Sequence, residues 1–435
     1  MQKSRVITVP NPILKEKTEK ISSVDDSIRL QIHEMVKTLR TEGGIGLAAN
    51  QLGYKNKLVA IEFNDPKNAN HIPLTIFINP EVVKYSKEHE CFDEGCLSVP
   101  KIELEVERPT HLKLKYEDEH GHKIKIAPKG LLARILQHEI DHLNGILFTE
   151  VARTQLLSKY PELKNTKVAF FGTGPFAAII LEGLIHMGLS LDIYTEKNSP
   201  ASEIAKKFGK DFSVLLTDIR EHSFDLLICA DFGQKIPAEI LKKAKIDAVN
   251  LHGSLLPKYP GPTPIQTAIL DGEKTTGVTI IRMSEEIDKG PILAQTETEI
   301  ENTDDYPVLR DKLATLGLKL LVKILPSIMD REIQAVPQPS AHVKPTRKFQ
   351  KEDGKISWKK SPEKIERQIR AYHPWPGTYT TIDNKRLIIH LAHLEKNQLV
   401  LDMVQLEGKN PTDFQSFLRG WRGEKPFWFK KILVK

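Results

Sequence analysis

Apolar residues recur with a helical spacing in two segments near the start of the chain. The first, residues 24–41, stops before Gly43-Gly44 and is apolar at Ile28, Ile32, Met35, Val36 and Leu39. The second, residues 130–143, is apolar at Leu131, Leu132, Ile135, Leu136, Ile140 and Leu143. Between these predicted helices, Pro and Gly residues separate the strand-like runs KLVAIEF, PLTIFINP, LEVE and HLKLKYED. We therefore expect residues 1–163 to form an α+β domain.

The pattern changes after residue 163. Short apolar runs (KVAFFG, LDIYT, FDLLICA and AVNLHG) alternate with helical segments such as PFAAIILEGLIHMG and ASEIAKKFG. Buried strands that alternate with helices are typical of βαβ units and a parallel sheet, so residues 164–336 are predicted to form an α/β domain.

A third section follows a segment rich in Pro and polar residues, which predicts a linker over residues 337–352. Beyond it lie one helical segment, SPEKIERQIRAYH, and the short strand-like runs TYTTI, RLIIHLA and QLVLDMVQ. This pattern predicts a small β-barrel domain over residues 353–435.

Composition agrees with a folded protein of several domains. The 435 residues are 40% hydrophobic and 28% charged, and no apolar run is long enough to span a membrane. The amino-terminal segment lacks the apolar stretch of a signal peptide, and three cysteines are too few for a disulfide framework. We expect a cytoplasmic protein without a membrane partner.

Positive charge is concentrated in the last section. Residues 349–435 carry 17 Lys and Arg against 10 Asp and Glu, whereas residues 1–348 carry 46 against 47. This excess either solvates a surface segment or contacts a polyanion such as RNA. Four aromatic residues could stack on bases or pack in a core: Tyr372, Trp375, Trp421 and Trp428.

The first candidate site contains QHEIDH, residues 137–142. On a helix, His138 and His142 lie one turn apart on the same face, so both imidazoles can reach one metal ion. Glu139 is placed to take a proton from a metal-bound water. The alternative is a pair of surface histidines on an amphipathic helix.

A third metal ligand is required, and spacing leaves Cys96 and Cys91 as rivals. Either thiol could instead be a small buried apolar group. The small residues of GIGLAANQ allow close backbone approach, and Gln51 at its end offers a neutral donor to an oxyanion.

Three segments in order, GIGLAANQ, EGCLS and QHEIDHLNG, resemble the GxGxAAxQ, EGCLS and QHExDHLxG elements of the peptide deformylase family over residues 1–160. The resemblance implies a metallohydrolase domain whose divalent ion, Fe²⁺ or else Zn²⁺, Ni²⁺ or Co²⁺, is held by Cys96, His138 and His142. It implies that Glu139 is the general acid/base and that the oxyanion donors are Gln51 and the backbone N–H of Leu97. The implied substrates are N-formylmethionyl nascent peptides near the ribosome. In two positions the chain departs from that family, with Lys101 where glycine is often found and Asn50 where proline is common.

The second candidate site follows the apolar run DAV. Asn250 and His252 lie where a strand ends, at the edge where open α/β sheets place their sites. Asn250 can donate to a developing oxyanion and His252 can move a proton, while Asp288 can orient the histidine. A packed loop histidine and a turn-forming aspartate are the alternatives. The turn Gly172-Thr173-Gly174 lacks the third glycine of a dinucleotide fingerprint, which disfavours a nicotinamide cofactor.

NLHGSLLP, GVTI with a following Asp-Lys-Gly, and ADFGQKIP resemble the 10-formyltetrahydrofolate-dependent formyltransferases, most closely the methionyl-tRNA formyltransferases, over residues 165–435. The resemblance implies a Rossmann-like domain followed by an OB-like β-barrel domain. Its catalytic residues would be Asn250, His252 and Asp288. Its contacts to the co-substrate 10-formyltetrahydrofolate would be Ser254, Leu255, Leu256 and Pro257.

The acceptor implied by the resemblance is initiator methionyl-tRNA. One departure leaves an alternative open, because the long basic insertion of those enzymes after the second strand is replaced by a short segment after Tyr194. A short segment at this place is similar to the sugar-nucleotide formyltransferases, so a deformylase fused to a sugar-nucleotide N-formyltransferase is the second hypothesis. The native metal, the oligomeric state and any coupling between the two sites stay open at this point.

Overall fold

The computed structural model describes residues 6–64, 71–214, 219, 223–423 and 426–433. The first five residues, part of the amino-terminal segment considered above, lie outside this range. The chain forms two compact units. The first runs to Thr166 and includes Glu182–Ser190 and Lys206–Lys210, and the second comprises Lys167–Leu181, Leu191–Ala205 and the chain from Asp211 onward.

The described residues of the first unit up to Thr166 form three α-helices and two β-sheets. The helices are α1 (Asp26–Glu42), α2 (Gly130–Leu143) and α3 (Phe148–Lys159). The strands are β1 (Gly46–Ala48), β2 (Leu58–Asn64), β3 (His71–Tyr85), β4 (His89–Cys96), β5 (Val99–Pro109), β6 (Leu112–Glu117) and β7 (Lys123–Ile126). Five strands form a sheet in the order β1-β2-β3-β6-β7, and β4 and β5 form a separate antiparallel pair.

Alternation along β2 explains how this sheet buries both faces. Leu58 and Ala60 share a core with the apolar stripe of α1, whereas Val59 and Ile61 share a core with α2. Successive side chains of a strand point to opposite faces, so one strand can serve two layers. Both predicted helices are confirmed. The side chain of Asp25 caps α1 by accepting the Ile28 N–H at 2.9 Å.

A six-stranded mixed sheet forms the core of the second unit, in the order β13-β12-β11-β10-β8-β9. Its elements are β8 (Lys167–Phe171), α4 (Pro175–His186), β9 (Ser190–Tyr194), α5 (Pro200–Lys207), β10 (Phe224–Ala230), α6 (Ala238–Leu241), β11 (Ala244–His252), α7 (Pro264–Asp271), β12 (Thr275–Arg282), β13 (Ile292–Glu299) and α8 (Tyr306–Met329). Strands β8, β10 and β11 pair in parallel, as predicted, whereas β12 and β13 join antiparallel.

The segment predicted as a linker is hydrogen-bonded to this part of the fold. Gln338 donates its side-chain amide to the Gly290 carbonyl at 2.7 Å, and the Thr346 N–H donates to the Pro260 carbonyl at 2.7 Å. The Thr263 hydroxyl donates to the Arg347 carbonyl at 2.9 Å. The polar, proline-rich segment therefore forms hydrogen bonds to the α/β part of the fold without being a strand of its sheet.

The carboxyl-terminal elements are α9 (Pro362–Ala371), β14 (Thr378–Ile382), β15 (Lys385–Glu395), β16 (Gln398–Leu406), β17 (Thr412–Asp413) and α10 (Phe414–Gly420). The four strands form an antiparallel sheet in chain order, which does not close into a barrel among the described residues. Within the same described residues, no helix combines the length and the apolar character needed to cross a membrane.

Candidate active sites

Helix α2 and the end of strand β4 bring three potential metal ligands together. His138 and His142 lie one helical turn apart, and Cys96 is the last residue of β4. The ligand atoms of Cys96, His138 and His142 lie within 4.8 Å of one another, and Cys96 Sγ is 3.1 Å from His142 Nε2. Two imidazoles and one thiolate can hold a single divalent ion.

A buried carboxylate fixes one of these imidazoles. Glu94 Oε2 is 3.0 Å from His138 Nδ1, so this nitrogen carries the proton and Nε2 is left for a metal. Glu94 also accepts from Arg108 Nε at 2.6 Å and from Arg134 Nη1 at 2.9 Å. Although burial opposes ionisation, hydrogen bonds from His138 and Arg108 lower the pKa of Glu94 to about 2. Sequence reasoning missed Glu94, because its partners lie far away in the chain.

Glu139 lies beside the three ligands with one oxygen, Oε2, buried and without a hydrogen-bond partner among the described residues. Burial raises the pKa of Glu139 to about 7, which suits a group that takes and returns a proton near neutral pH. The Glu139 carboxylate has room because residue 46 of β1 is a glycine. A Cβ on Gly46 would lie 2.4 Å from Glu139 Oε1. A glycine is therefore required at the point where the strand passes the carboxylate.

Gln51 is buried at the edge of the same cluster. Its Oε1 accepts the Ala48 N–H at 2.8 Å, so its amide nitrogen faces the site, 3.5 Å from Cys96 Sγ and 3.1 Å from Ser98 Oγ. Leu97 follows Cys96 directly, which carries its backbone into the turn between β4 and β5. The structure thus places Gln51 beside Cys96, one of the three potential metal ligands, with Leu97 next to it in the chain.

Cys91, the rival of Cys96, is exposed on β4, five residues away and on the opposite face of the strand. Lys101, at a position where glycine was expected, has a positive φ of 66° in β5. This left-handed backbone favours glycine, and the lysine adopts it nonetheless.

The second unit contains a cavity of about 610 Å³ at the carboxyl ends of β10 and β11. Asn250, His252 and Asp288 all line it. His252 Nε2 donates to the Tyr259 carbonyl at 2.8 Å, which leaves the lone pair of Nδ1 facing Asp288 Oδ2 at 3.6 Å. Asn250 Nδ2 is 3.4 Å from Asp288 Oδ1, and the Gly261 N–H donates to Asp288 Oδ2 at 2.8 Å.

The four predicted folate contacts lie behind this cavity and do not line it. Ser254 is fully buried and donates its hydroxyl to the Lys258 carbonyl at 2.7 Å, while the Leu256 N–H donates to Thr279 Oγ1 at 3.0 Å. Leu255 and Pro257 belong to the same turn, which supports the residues after β11. Their assignment as folate contacts rests on the resemblance of NLHGSLLP to the formyltransferases.

Other segments supply the walls of the cavity. They include residues 232–236 after β10 and residues 283–287 after β12. Lys348, Phe349 and Trp375, which follow α8 in the chain, also line the cavity. Residues 232–236 belong to ADFGQKIP, one of the segments that carry the resemblance to the formyltransferases. No local pattern marked Lys348 or Phe349, because their place depends on how residues 337–352 run along the fold.

Comparisons with known proteins agree with this division. The polypeptide deformylase family model matches residues 3–156, the formyl transferase model matches residues 167–325, and the formyl transferase C-terminal domain model matches residues 348–399. A methionyl-tRNA formyltransferase of Staphylococcus aureus strain JH1 is 35% identical over 254 residues, covering 54% of this chain and 82% of that protein.

Two solved structures are also similar to part of the chain. A peptide deformylase from Ehrlichia chaffeensis is 35% identical, with a TM-score of 0.32, 34% of this chain covered and 86% of that chain covered. A peptide deformylase from Synechococcus elongatus in complex with actinonin is 34% identical, with a TM-score of 0.33 and coverages of 37% and 90%.

Proposed function

This chain belongs to the methionyl-tRNA formyltransferase family and carries a polypeptide deformylase domain ahead of it, and on that premise we propose a bifunctional enzyme of translation. One half removes the formyl group from N-formylmethionyl peptides. The other transfers formyl from 10-formyltetrahydrofolate to the amino group of initiator methionyl-tRNA. The observation that carries this proposal is that each half gathers its own set of reacting groups at one place.

In the first half, Cys96, His138 and His142 would hold one divalent ion, for which we propose Fe²⁺, with Zn²⁺, Ni²⁺ and Co²⁺ as substitutes. The fit is good, since three ligand atoms converge and Glu94 fixes the tautomer of His138. Such an ion supplies Lewis acidity and lowers the pKa of a coordinated water toward 7.

Glu139 then takes a proton as water attacks the formyl carbon, and it delivers that proton to the departing amine. The Gln51 amide and the Leu97 N–H donate to the oxygen of the tetrahedral intermediate. The C–N bond breaks, releasing formate and a free amino terminus. A carboxyl with a pKa of about 7 can both accept and return the proton at neutral pH.

In the second half, the acceptor amine attacks the formyl carbon of the folate, and the bond from that carbon to folate N10 breaks. Asn250 donates to the oxyanion, and His252 Nδ1 takes the proton from the amine and passes it to N10. Asp288, 3.6 Å away, stabilises the imidazolium that forms. We place the folate along residues 232–236 and 283–287 and not against Ser254–Pro257, because only the former line the cavity.

We further propose domain boundaries at residues 1–163, 164–336 and 353–435, with residues 337–352 connecting the last two and an OB-like fold for the last. The basic charge of residues 349–435 supports a tRNA acceptor. The sugar-nucleotide alternative is not favoured, since the curated relative named above is a methionyl-tRNA formyltransferase. We place the enzyme in the cytoplasm, near translating ribosomes.

The test uses formyl transfer from 10-formyltetrahydrofolate to charged initiator methionyl-tRNA, measured in a Glu139→Ala chain so that deformylation cannot mask the product. We expect transfer that is lost on addition of His252→Ala. Formate release from a formyl-methionyl peptide serves as the matched control, because it should be lost in Glu139→Ala and kept in His252→Ala. Absence of transfer with folate still bound would overturn the tRNA proposal.

A further inference from the structure

The glycine turn after β8 has its donors occupied by the protein itself. A helix N-terminus beneath a glycine turn is a general binding place for phosphate. Here the N–H groups of Thr173 and Gly174 donate to the Asp231 carbonyl at 3.1 and 3.3 Å. The Thr173 hydroxyl donates to the same oxygen at 2.9 Å. The turn therefore holds the residue that follows β10.

The Asp231 side chain fills the remaining space at this turn. It lies close to the backbone N–H of Phe176, in the first turn of α4. A Cβ on Gly174 would lie only 1.7 Å from Asp231 Oδ2, so glycine is what admits the carboxylate. Asp231 itself has a φ of 45°, a left-handed conformation that is costly for a residue other than glycine. A carboxylate thus occupies the kind of turn that binds phosphate in other proteins.

This carboxylate also belongs to the wall of the formyl-transfer cavity. Ala230 pairs with Leu251 in the parallel register of β10 and β11, so Asp231 and His252 follow neighbouring positions at one sheet edge, and both line the cavity. It is exposed to the cavity. The described residues that line the cavity include four acids (Asp231, Glu285, Glu286 and Asp288) against two lysines (Lys235 and Lys348). The nearby Arg310 guanidinium is engaged by Asp311 at 2.6 and 2.8 Å.

On the basis of the proposed formyl transfer, we propose that Asp231 selects the acceptor. Its carboxylate accepts a hydrogen bond from the α-amino group of the aminoacyl acceptor, and it denies the glycine turn to acceptors that need a phosphate there. A charge-assisted hydrogen bond of this kind orients the amine beside His252, with its lone pair left for the formyl carbon. Aminoacyl groups are therefore favoured over phosphorylated amines such as sugar nucleotides.

The experiment compares Asp231→Asn with Asp225→Asn in the Glu139→Ala chain. Asp225 lies near the other end of β10, where it accepts the Lys167 N–H at 2.9 Å, about 20 Å from Asp231 along the strand. We measure KM for methionyl-tRNA, KM for 10-formyltetrahydrofolate, and inhibition of transfer by inorganic phosphate. We expect Asp231→Asn to raise KM for methionyl-tRNA about tenfold or more, with KM for the folate unchanged. Inorganic phosphate should compete with methionyl-tRNA in this variant only.

Unchanged KM for methionyl-tRNA and unchanged phosphate sensitivity in Asp231→Asn would overturn the inference, while transfer itself would still stand. Absence of transfer in the Glu139→Ala parent would instead overturn the proposed function.

A second measurement needs no variant at position 231, so the inference stays falsifiable even if Asp231→Asn does not fold. Transfer is inhibited with tRNA esterified by the methionine analogue that lacks the amino group, and with tRNA esterified by N-methyl-methionine, which keeps an N–H. We expect the first to bind about tenfold more weakly than the second. Equal inhibition would contradict the contact between the amine and Asp231.

Discussion

The three cysteines of this chain have three different environments. Cys96 lies half-buried beside His142, Cys91 is exposed on the other face of the same strand, and Cys229 is buried at the formyl-transfer cavity. Burial, reinforced by Asp288 and Asp231, raises the pKa of the Cys229 thiol strongly. Since the thiolate is the reactive form, each cysteine should respond differently to a thiol reagent.

We predict that iodoacetamide at pH 8 labels the folded, metal-loaded protein at Cys91 alone. Removal of the metal with a chelator should expose Cys96 to labelling, and denaturation should add Cys229, whose raised pKa keeps it protonated at this pH. Peptide mass mapping of each state checks this order. Cys91→Ser should retain one metal per chain and Cys96→Ser should lose it. Rapid labelling of Cys96 in the loaded protein would contradict its role as a ligand.

The close approach of β1 to α2 restricts which residue can stand at position 46. Strand β1 passes so near α2 that a Cβ on Gly46 would meet both Glu139 Oε1 at 2.4 Å and Ile135 Cγ2 at 2.9 Å.

Two tryptophans near the carboxyl end of the chain differ in their exposure to solvent. Trp428 is 1% exposed and stacks on Trp358 with ring centroids 5.0 Å apart, whereas Trp375 is 54% exposed and lines the cavity.

We predict that Gly46→Ala lowers formate release by about 10- to 100-fold, because the new methyl group displaces the Glu139 carboxylate. Metal content should stay at one per chain, since none of the ligands is moved directly. Formyl transfer by the same chain is the internal control and should be unchanged. Full deformylase activity in this variant would show that the carboxylate tolerates displacement.

The two tryptophans should separate stability from activity. Trp428→Ala should lower the free energy of unfolding of the carboxyl-terminal elements by about 3–5 kcal/mol, through loss of a buried ring. Trp375→Ala should change that free energy by less than about 0.5 kcal/mol, yet weaken formyl transfer. Hydrogen exchange of β14–β16 measures the first effect and steady-state kinetics the second. Equal protection loss in both variants would refute this assignment.

At the scale of the whole molecule, the chain joins two opposed reactions. Formylated methionyl-tRNA, the product of one half, carries the group that the other half removes. The deformylase groups are deeply placed, with Glu139 4% exposed and Gln51 2% exposed. An extended peptide terminus is slender enough to reach them, whereas a formyl-methionyl group on tRNA arrives with a bulky nucleotide at its carboxyl end.

We predict that the parent protein accumulates formyl-methionyl-tRNA. Deformylation of this ester should be slower than that of a formyl-methionyl peptide by on the order of 100-fold. Release of labelled formate from both substrates at equal concentration measures the ratio. Comparable deformylation rates for the two substrates would contradict this prediction, because the deformylase would then destroy the product of formyl transfer.

The order of residues is enough to specify which of them share a helix, a strand face or a strand end. Helical periodicity set α1 and placed His138 and His142 on one face of α2, while the apolar runs set the parallel strands that end at Asn250 and His252. These are local properties of the backbone, so neighbouring residues are enough to specify them.

Which distant segments meet is visible in the three-dimensional fold alone. It brings Cys96 and not Cys91 to the two histidines, places Glu94 against His138, and lines the cavity with residues 232–236 and 283–287. It also filled the glycine turn with Asp231. Strand register and chain path bring these groups together across many residues, and neither leaves a periodic signal in the sequence.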